Sequence, residues 1–326
     1  MALYLSYDGE AQQDGVGAQI IRILGVYSIS RAFRIGYIHT PIKNIIEEVS
    51  HNFNSNTSST NFKNMVNEFF QISHFSPSRI DSFKNYKELT LWQLLKLVIV
   101  YKYSKSSVVV KIAFPFKITD RMPGIYKHAK NYFWAKHQDL LKVKPGVVAH
   151  IRFGYGFLYT EKIYMRNRHL PLGYFRDIII SLQDESLNAN RSNVTIHTDL
   201  KHQNEIWKPS QPEVARALKK LNGGKETVLV AGVDIQKKLN LPKGINVEVK
   251  YSQDFFDCFL DMCTAEIFVM GRSALSYLAG ILNPNMVIYP ESHGHARLKN
   301  WVSSNNHTKS RYSLIHETDL STFLAS

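Results

Sequence analysis

The chain has 326 residues, 44% of them hydrophobic and 12% aromatic, which fits two domains of about 150 residues each and excludes global disorder. Forty Lys and Arg stand against 27 Asp and Glu, a formal charge of +13 that suits nucleic acid, an anionic membrane surface or an anionic small substrate. No dense Lys/Arg block occurs, so a solvated basic surface also accounts for the charge. Two cysteines, Cys258 and Cys263, exclude a disulfide framework and a cysteine-rich zinc site, and read as buried thiols of a cytoplasmic or other reducing compartment. The opening Met1 to Asp8 turns polar too early for a signal peptide. The longest apolar run, Leu89 to Tyr101, is broken by Gln93 and Lys96 and is too short to cross a bilayer. A soluble protein is expected.

In chain order, residues 3–7 read as a short buried strand and are followed by a glycine-bearing loop, Asp14-Gly15-Val16-Gly17-Ala18-Gln19. Ile20, Ile21, Ile23, Leu24, Tyr27 and Ile29 recur at helical spacing, and Gly36 to Thr40 begins a second strand. The stretch 52–61 is a polar loop; 62–72 and 86–103 carry helical patterns; the β-branched run Ser107 to Phe114 is a buried strand; 123–141 looks helical. Lys144-Pro145-Gly146 reads as a turn and hinge, and Val147 to Arg152 as a strand. Leu170 to Phe175 leads into a helix ending near Gln183. Strands are then expected at 194–197, 227–231, 245–250, 265–270 and 286–289, with helices at 212–221, 254–263 and 274–282. This alternation predicts an α/β protein with a second parallel, doubly wound domain, split 1–143 and 144–326.

In open α/β sheets ligands lie outside the carboxyl ends of the strands, which directs attention to three places. His150 and Arg152 share one face of a strand end because side chains alternate with period two. Arginine there can fork two donors onto a diphosphate, or can simply be a basic rim residue. His197-Thr198-Asp199 ends the next strand. Gly271-Arg272-Ser273 precedes Ala274-Leu275-Ser276, so Ser273 is placed to cap a helix whose N-terminal N–H groups make an anion site. Gly15 and Gly17 sit where a phosphate-binding turn would, but without the third glycine or acidic partner of a dinucleotide fingerprint; a tight turn explains them equally. Asp254 and Asp257 could accept hydrogen bonds from a nucleobase, or be surface acids. No Asp-x-Asp metal loop is present, and no metal site is expected.

Taken in order, these pieces resemble the α1,2-fucosyltransferases and, more distantly, the α1,6-fucosyltransferases. Gly15-Val16-Gly17-Ala18-Gln19 resembles their Gly-Leu-Gly-Asn-Gln opening, Val148 to Arg152 their His-x-Arg strand, and Leu170-Pro171 with Tyr174-Phe175 their Leu-Pro-x-x-Tyr-Tyr helix start. Thr195 to Asp199 resembles the strand ending in Ser/Thr-Asp-Asp. Ser273 to Tyr277 resembles Ser-Ser/Thr-Phe-Ser-Trp, and Leu282-Asn283-Pro284-Asn285 with Pro290 the closing Leu-Asn-Pro-Asn motif. The chain departs from the pattern after Arg152, where a second Arg is usual and Phe153-Gly154-Tyr155 stands instead.

The resemblance implies a GT-B-like architecture, two Rossmann-like domains facing a cleft, with an acceptor-side N-terminal domain and a nucleotide-sugar-binding C-terminal domain. It implies inverting, metal-independent transfer without a cofactor. The donor is a nucleotide sugar, with GDP-fucose first and other GDP- or UDP-sugars next; the acceptor is an oligosaccharide or glycoconjugate hydroxyl. Donor contacts fall to Gly15, Gly17, His150, Arg152, Asp199, Asp254, Asp257, Ser273 and Ser276. Arg152 would offset charge on the leaving diphosphate, with Lys162 or Arg166 near enough in sequence to assist. Glu161 is the candidate base, nine residues past Arg152, with Asp8, Glu10 and Asp14 as rivals. The readings from other classes are a basic polyanion- or RNA-binding protein, whose aromatics would have to interleave with Lys and Arg on one surface, and a glycan-binding module without turnover.

Overall fold

The computed structural model describes residues 3–9, 15–43, 59–72, 80–152, 170–184, 192–199, 203, 205–207, 228–230, 233–251, 254–291 and 293–308. The chain divides into two compact units, one of Met1–Val49, Thr57–Leu141 and Gly294–Lys299, the other of Ser50–Asn56, Lys142–His293 and Asn300–Ser326.

The first unit is built on a four-stranded sheet ordered β2-β1-β4-β3, with every pairing parallel. Its strands are β1 (Leu3–Tyr7), β2 (Gly36–Ile38), β3 (Ser82–Glu88) and β4 (Val108–Phe114). The largely apolar strands β1 and β4, interrupted only by Ser6 and Lys111, lie at the centre, where both faces are covered. Helix α1 (Val16–Ala32) is buried on nearly every side, from Gln19 through Ser30, and Tyr27 packs edge-on to Tyr37 and Tyr132. Around it lie α2 (Ser59–Phe69), α3 (Leu91–Lys102), α4 (Phe116–Thr119) and α5 (Lys127–Lys136). A capping box starts α3: Gln93 N–H donates to Thr90 Oγ1 (3.3 Å) and Thr90 N–H to Gln93 Oε1 (2.8 Å).

Two expectations change here. The helix expected over 86–103 starts only at Leu91, because 82–88 forms β3. That strand is an edge strand exposed on both faces, so its sequence shows neither an apolar run nor alternation. The expected 123–141 helix is α5 flanked by single 3₁₀ turns at 123–126 and 138–140.

The second unit carries a six-stranded sheet ordered β12-β11-β10-β5-β6-β9, again with every pairing parallel. The strands are β5 (Lys144–Ile151), β6 (Asn193–Thr198), β9 (Asn246–Tyr251), β10 (Ala265–Val269), β11 (Met286–Tyr289) and the two-residue β12 (Val302–Ser303). Among the described residues four helices join them: α6 (Leu172–Asp184), α7 (Ile235–Leu239), α8 (Phe255–Thr264) and α9 (Ala274–Leu282). The chain lays down β5, β6 and β9 outward in one direction. It then returns to the centre with β10, beside β5, and proceeds outward the other way. This is the doubly wound order of dinucleotide-binding folds.

Val147, Ala149 and Ile151 of β5 pack with Ile178, Ile179 and Leu182 of α6 on one face of the sheet. Asn283, fully buried after α9, donates from Nδ2 to the carbonyls of Met262 (2.8 Å) and Ala265 (3.1 Å), while Asn285 N–H donates to its Oδ1 (2.6 Å). The Asn-Pro-Asn stretch is therefore a clasp holding the α9–β11 turn to the junction of α8 and β10.

Two further expectations are corrected in this unit. Lys144-Pro145-Gly146 is not a turn but the start of β5. Gly146 takes a φ of 94°, and the pairing with β10 shifts register between Ala265 and Ile267. The strand expected at 227–231 does not join the parallel sheet: β8 (Val228–Val230) pairs antiparallel with β7 (Glu205–Trp207) as a separate ribbon. The expected helix at 212–221 lies outside the described residues.

Candidate functional site

Strand order reverses between β5 and β10, so in the second unit the doubly wound topology directs a ligand to the carboxyl ends of these two strands. His150 lies at the end of β5 and Arg152 just after it, and Gly271, Ser273 and the start of α9 follow β10. The backbones meet closely: a Cβ at position 271 would fall 2.3 Å from the His150 carbonyl oxygen. Glycine is needed there for space rather than for its dihedral angles.

Ser273 has extended backbone (φ −144°, ψ 154°) and caps α9, its Oγ accepting from Ser276 N–H at 3.0 Å. The first N–H groups of such a helix have no partner within it, and the helix dipole favours negative charge beside them. Ser276 is turned inward. Its hydroxyl lies 2.5 Å from His150 Nδ1 and 3.1 Å from Ser273 Oγ, which itself stands 3.5 Å from His150 Nδ1. Behind the cap, the His293 ring stacks on Tyr277 and its Nε2 lies 3.4 Å from the Ser273 carbonyl.

His150 is buried, and burial pushes its pKa down to about 3, helped by the nearby positive charge of Arg152 and by His197. The imidazole is neutral at physiological pH. Arg152, half-buried, directly follows β5 and stands near enough for its charge to act on His150.

His197 pairs in register with His150 across β5 and β6 and is itself buried. Its Nε2 lies 3.0 Å from Asp261 Oδ2, which also takes Lys144 Nζ at 2.6 Å and Lys250 Nζ at 3.1 Å. Burial raises the Asp261 carboxyl, but its hydrogen bonds to His197 and Lys144, and the charges around it, outweigh this and hold it well below the usual carboxylate range. A continuous polar seam thus lies beneath the switch point, from Ser273 and Ser276 through the two histidines to Asp261. Sequence reading missed Asp261, Lys144, Lys250 and His293. Asp261 alone carried a signal, a carboxylate set among Phe259, Leu260, Met262 and Cys263 of α8, whereas Lys144 and Lys250 stand near strand ends and His293 follows β11.

Of the other expected residues, Asp199 follows β6 at the same edge of the sheet, and its charge is felt by Cys258 on α8, whose thiol burial pushes up to about 12. Asp254 caps α8, accepting from Phe256 N–H at 2.8 Å, and Asp257 follows in the first turn. Gly15 and Gly17 belong to the first unit. Gly15 is the N-cap of α1 with φ −64° and ψ 153°, a conformation open to any residue, and Gly17 is buried in the first turn. The helix thus starts at Val16, earlier than the loop expected over 14–19, and residues 10–14 lie outside the described residues. Asp8 directly follows β1, its N–H donating to the Ile112 carbonyl at 3.0 Å. Glu161, Lys162, Arg166, Glu10 and Asp14 lie outside the described residues. Among the described residues, no group of three or more His, Cys, Asp or Glu could hold a metal ion.

No family model matches the chain, and no curated protein matches it significantly. Among solved structures it is similar to POFUT1 in complex with GDP, at 10% identity and a TM-score of 0.40, over 93% of this chain and 98% of that one. It is also similar to the E. coli heptosyltransferase WaaC with ADP-2-deoxy-2-fluoro heptose, at 13% identity and a TM-score of 0.34, over 93% and 92% of the two chains. An Arabidopsis thaliana FUT1 variant in complex with GDP is similar at 11% identity and a TM-score of 0.36, over 88% of this chain and 70% of that one.

Proposed function

We propose that this chain is an inverting glycosyltransferase that takes a sugar from a nucleoside diphosphate, GDP-fucose first and other GDP- or UDP-sugars next, and delivers it to a glycan hydroxyl. The observation that carries the reading is the switch point itself. An arginine at the end of β5 and a serine-capped helix N-terminus after β10 lie side by side at the edge where a doubly wound sheet takes its ligand.

The chemistry follows from what such a site offers. The acceptor hydroxyl attacks the anomeric carbon as the bond from that carbon to the diphosphate oxygen breaks, and a base takes the hydroxyl proton. Negative charge grows on the departing diphosphate. The Arg152 guanidinium and the α9 N–H groups are suited to it without a metal ion. A neutral His150, fixed by Ser276, adds no charge of its own and keeps the cap in register. Glu161 remains the proposed base, and Asp199, Asp254 and Asp257 the proposed partners for ribose or base.

The test is calorimetric titration of GDP, UDP and ADP into the full chain, with transfer measured from the matching sugars. One nucleotide should bind, and at 100 times its dissociation constant it should raise stability by about 2.7 kcal/mol. Arg152→Ala should cost roughly 2 to 4 kcal/mol in transfer, about 30- to 1000-fold in rate. Arg152→Lys should recover little of this, a point charge being no substitute for the fork. Unchanged affinity and turnover in Arg152→Ala, or stabilisation by RNA and by no nucleotide, would overturn the proposal.

A further inference from the structure

Helix α3 has an outer face that the fold leaves uncovered. Leu94 and Leu97 face the core, and the opposite face of a surface helix is ordinarily polar. Here it carries Trp92, 73% exposed, Ile99 at 68%, Val100 at 63% and, just past the helix end, Tyr103 at 83%. At about 100° per residue, positions 92, 96, 99 and 103 fall on one narrow stripe, with 100 at its margin. Lys96 lies within the stripe, Lys102 reaches over the Tyr103 ring (5.2 Å), and Lys84 of the adjoining β3 over Tyr101 (5.4 Å).

The charge of the segment is one-sided. Residues 81–119 hold seven lysines, at 84, 87, 96, 102, 105, 111 and 117, against Asp81 and Glu88 alone. Asp81 accepts from Ser107 N–H (2.7 Å), and Glu88 is paired with Lys117 (2.6 Å). The outer stripe of α3 therefore has no acid of its own.

We infer that this stripe docks the protein onto an anionic lipid surface, α3 lying flat in the interface with Trp92, Ile99, Val100 and Tyr103 immersed and the lysines at headgroup level. At 12 residues α3 is too short to span a bilayer, and no described helix is long and apolar enough to do so. Aromatic rings with a polar edge, aliphatic side chains between them and flanking lysines whose stems extend toward headgroups are the composition of an interfacial helix. A second copy of the chain is disfavoured, since two-fold pairing of the stripe would bring Lys84, Lys96 and Lys102 of each copy together. Nucleic acid would leave Ile99 and Val100 against phosphate. The inference stands apart from the reading of the nucleotide site.

Co-sedimentation of the full chain with vesicles of phosphatidylcholine alone, and of phosphatidylcholine with phosphatidylserine, tests it. Binding is expected to the anionic vesicles, weakened about fivefold by each of Lys96→Gln and Lys102→Gln and falling with salt. The pair Trp92→Gln and Ile99→Gln should weaken it about tenfold or more, while Lys243→Gln, on the other unit, should leave it unchanged. All these positions are exposed, so melting temperatures should stay close to that of the parent. Failure to bind anionic vesicles would overturn the inference, as would equal binding by the Trp92/Ile99 variant. So would lipid-free self-association, or RNA binding, that the same variant abolishes.

Discussion

The neutral imidazole of His150 makes a sharp prediction about acid. In the unfolded chain a histidine titrates near pH 6.5, whereas burial, Arg152 and His197 hold this one at about 3. The folded value is depressed, so the unfolded state binds the proton first as pH falls. His150 costs the fold nothing at neutral pH, and stability is lost progressively from about 6.5 down to about 3. The loss from this one group should be about 2 kcal/mol by pH 5 and approach about 5 kcal/mol only near pH 3 and below. The protein has 13 histidines, and burial also lowers His128 and His137, so a single acid titration cannot isolate His150. Comparison with His150→Gln can, because a glutamine amide offers Ser276 a hydrogen-bond partner but does not titrate. Urea denaturation of both proteins at about pH 7.5 and at about pH 5 gives two stability differences, and the parent should lose about 2 kcal/mol more than the variant. The variant will be less stable at neutral pH, which does not affect the comparison. Equal losses would mean that His150 is not buried against Ser276 and Arg152 in the folded protein.

Gly271→Ala would drive a methyl group into the His150 carbonyl, which as backbone cannot swing aside. It should destabilise the fold by about 1 to 3 kcal/mol and weaken nucleotide binding together with it, read by denaturation and titration calorimetry. Asp261→Asn leaves Lys144 and Lys250 facing each other beside His197 and should cost about 1 to 3 kcal/mol at neutral pH. Because the Asp261 carboxyl is held low, its contribution is present above about pH 4 and lost below that; parent and variant should converge there in acid denaturation. Transfer assayed in EDTA should match transfer in magnesium or manganese; abolition by chelator with recovery in manganese would refute a metal-free mechanism.

What could be read from sequence follows from burial. β4 and β5 are visible because a strand covered on both faces must be a run of Val, Ile and Ala, and α9 because Ser273 stands where an apolar helix begins. β3 is invisible because Lys84, Asn85 and Lys87 have nothing to bury against. Val228 to Val230 looked like a sheet strand because three apolar residues pair as readily in an antiparallel ribbon as in a parallel sheet. At the site, His150, Arg152 and Ser273 were found as strand and helix ends. The bond between His150 and Ser276 joins residues 126 apart, and the gathering of Lys144, His197 and Lys250 on Asp261 draws on four separate elements. Local patterns hold no trace of such meetings.

The excursion of residues 294–299 into the first unit has a practical consequence for anyone dividing the gene. Ala296 N–H donates to Asp120 Oδ1 at 3.2 Å, and the His295 ring lies 4.3 Å from that of Phe116. A fragment ending at residue 143 would lack both contacts, and its complement would carry an orphaned hexapeptide in mid-chain. A cut in the linear sequence therefore does not follow the division of the fold. Moving the second unit onto another first unit would have to leave this short return segment behind, with its contacts to Asp120 and Phe116.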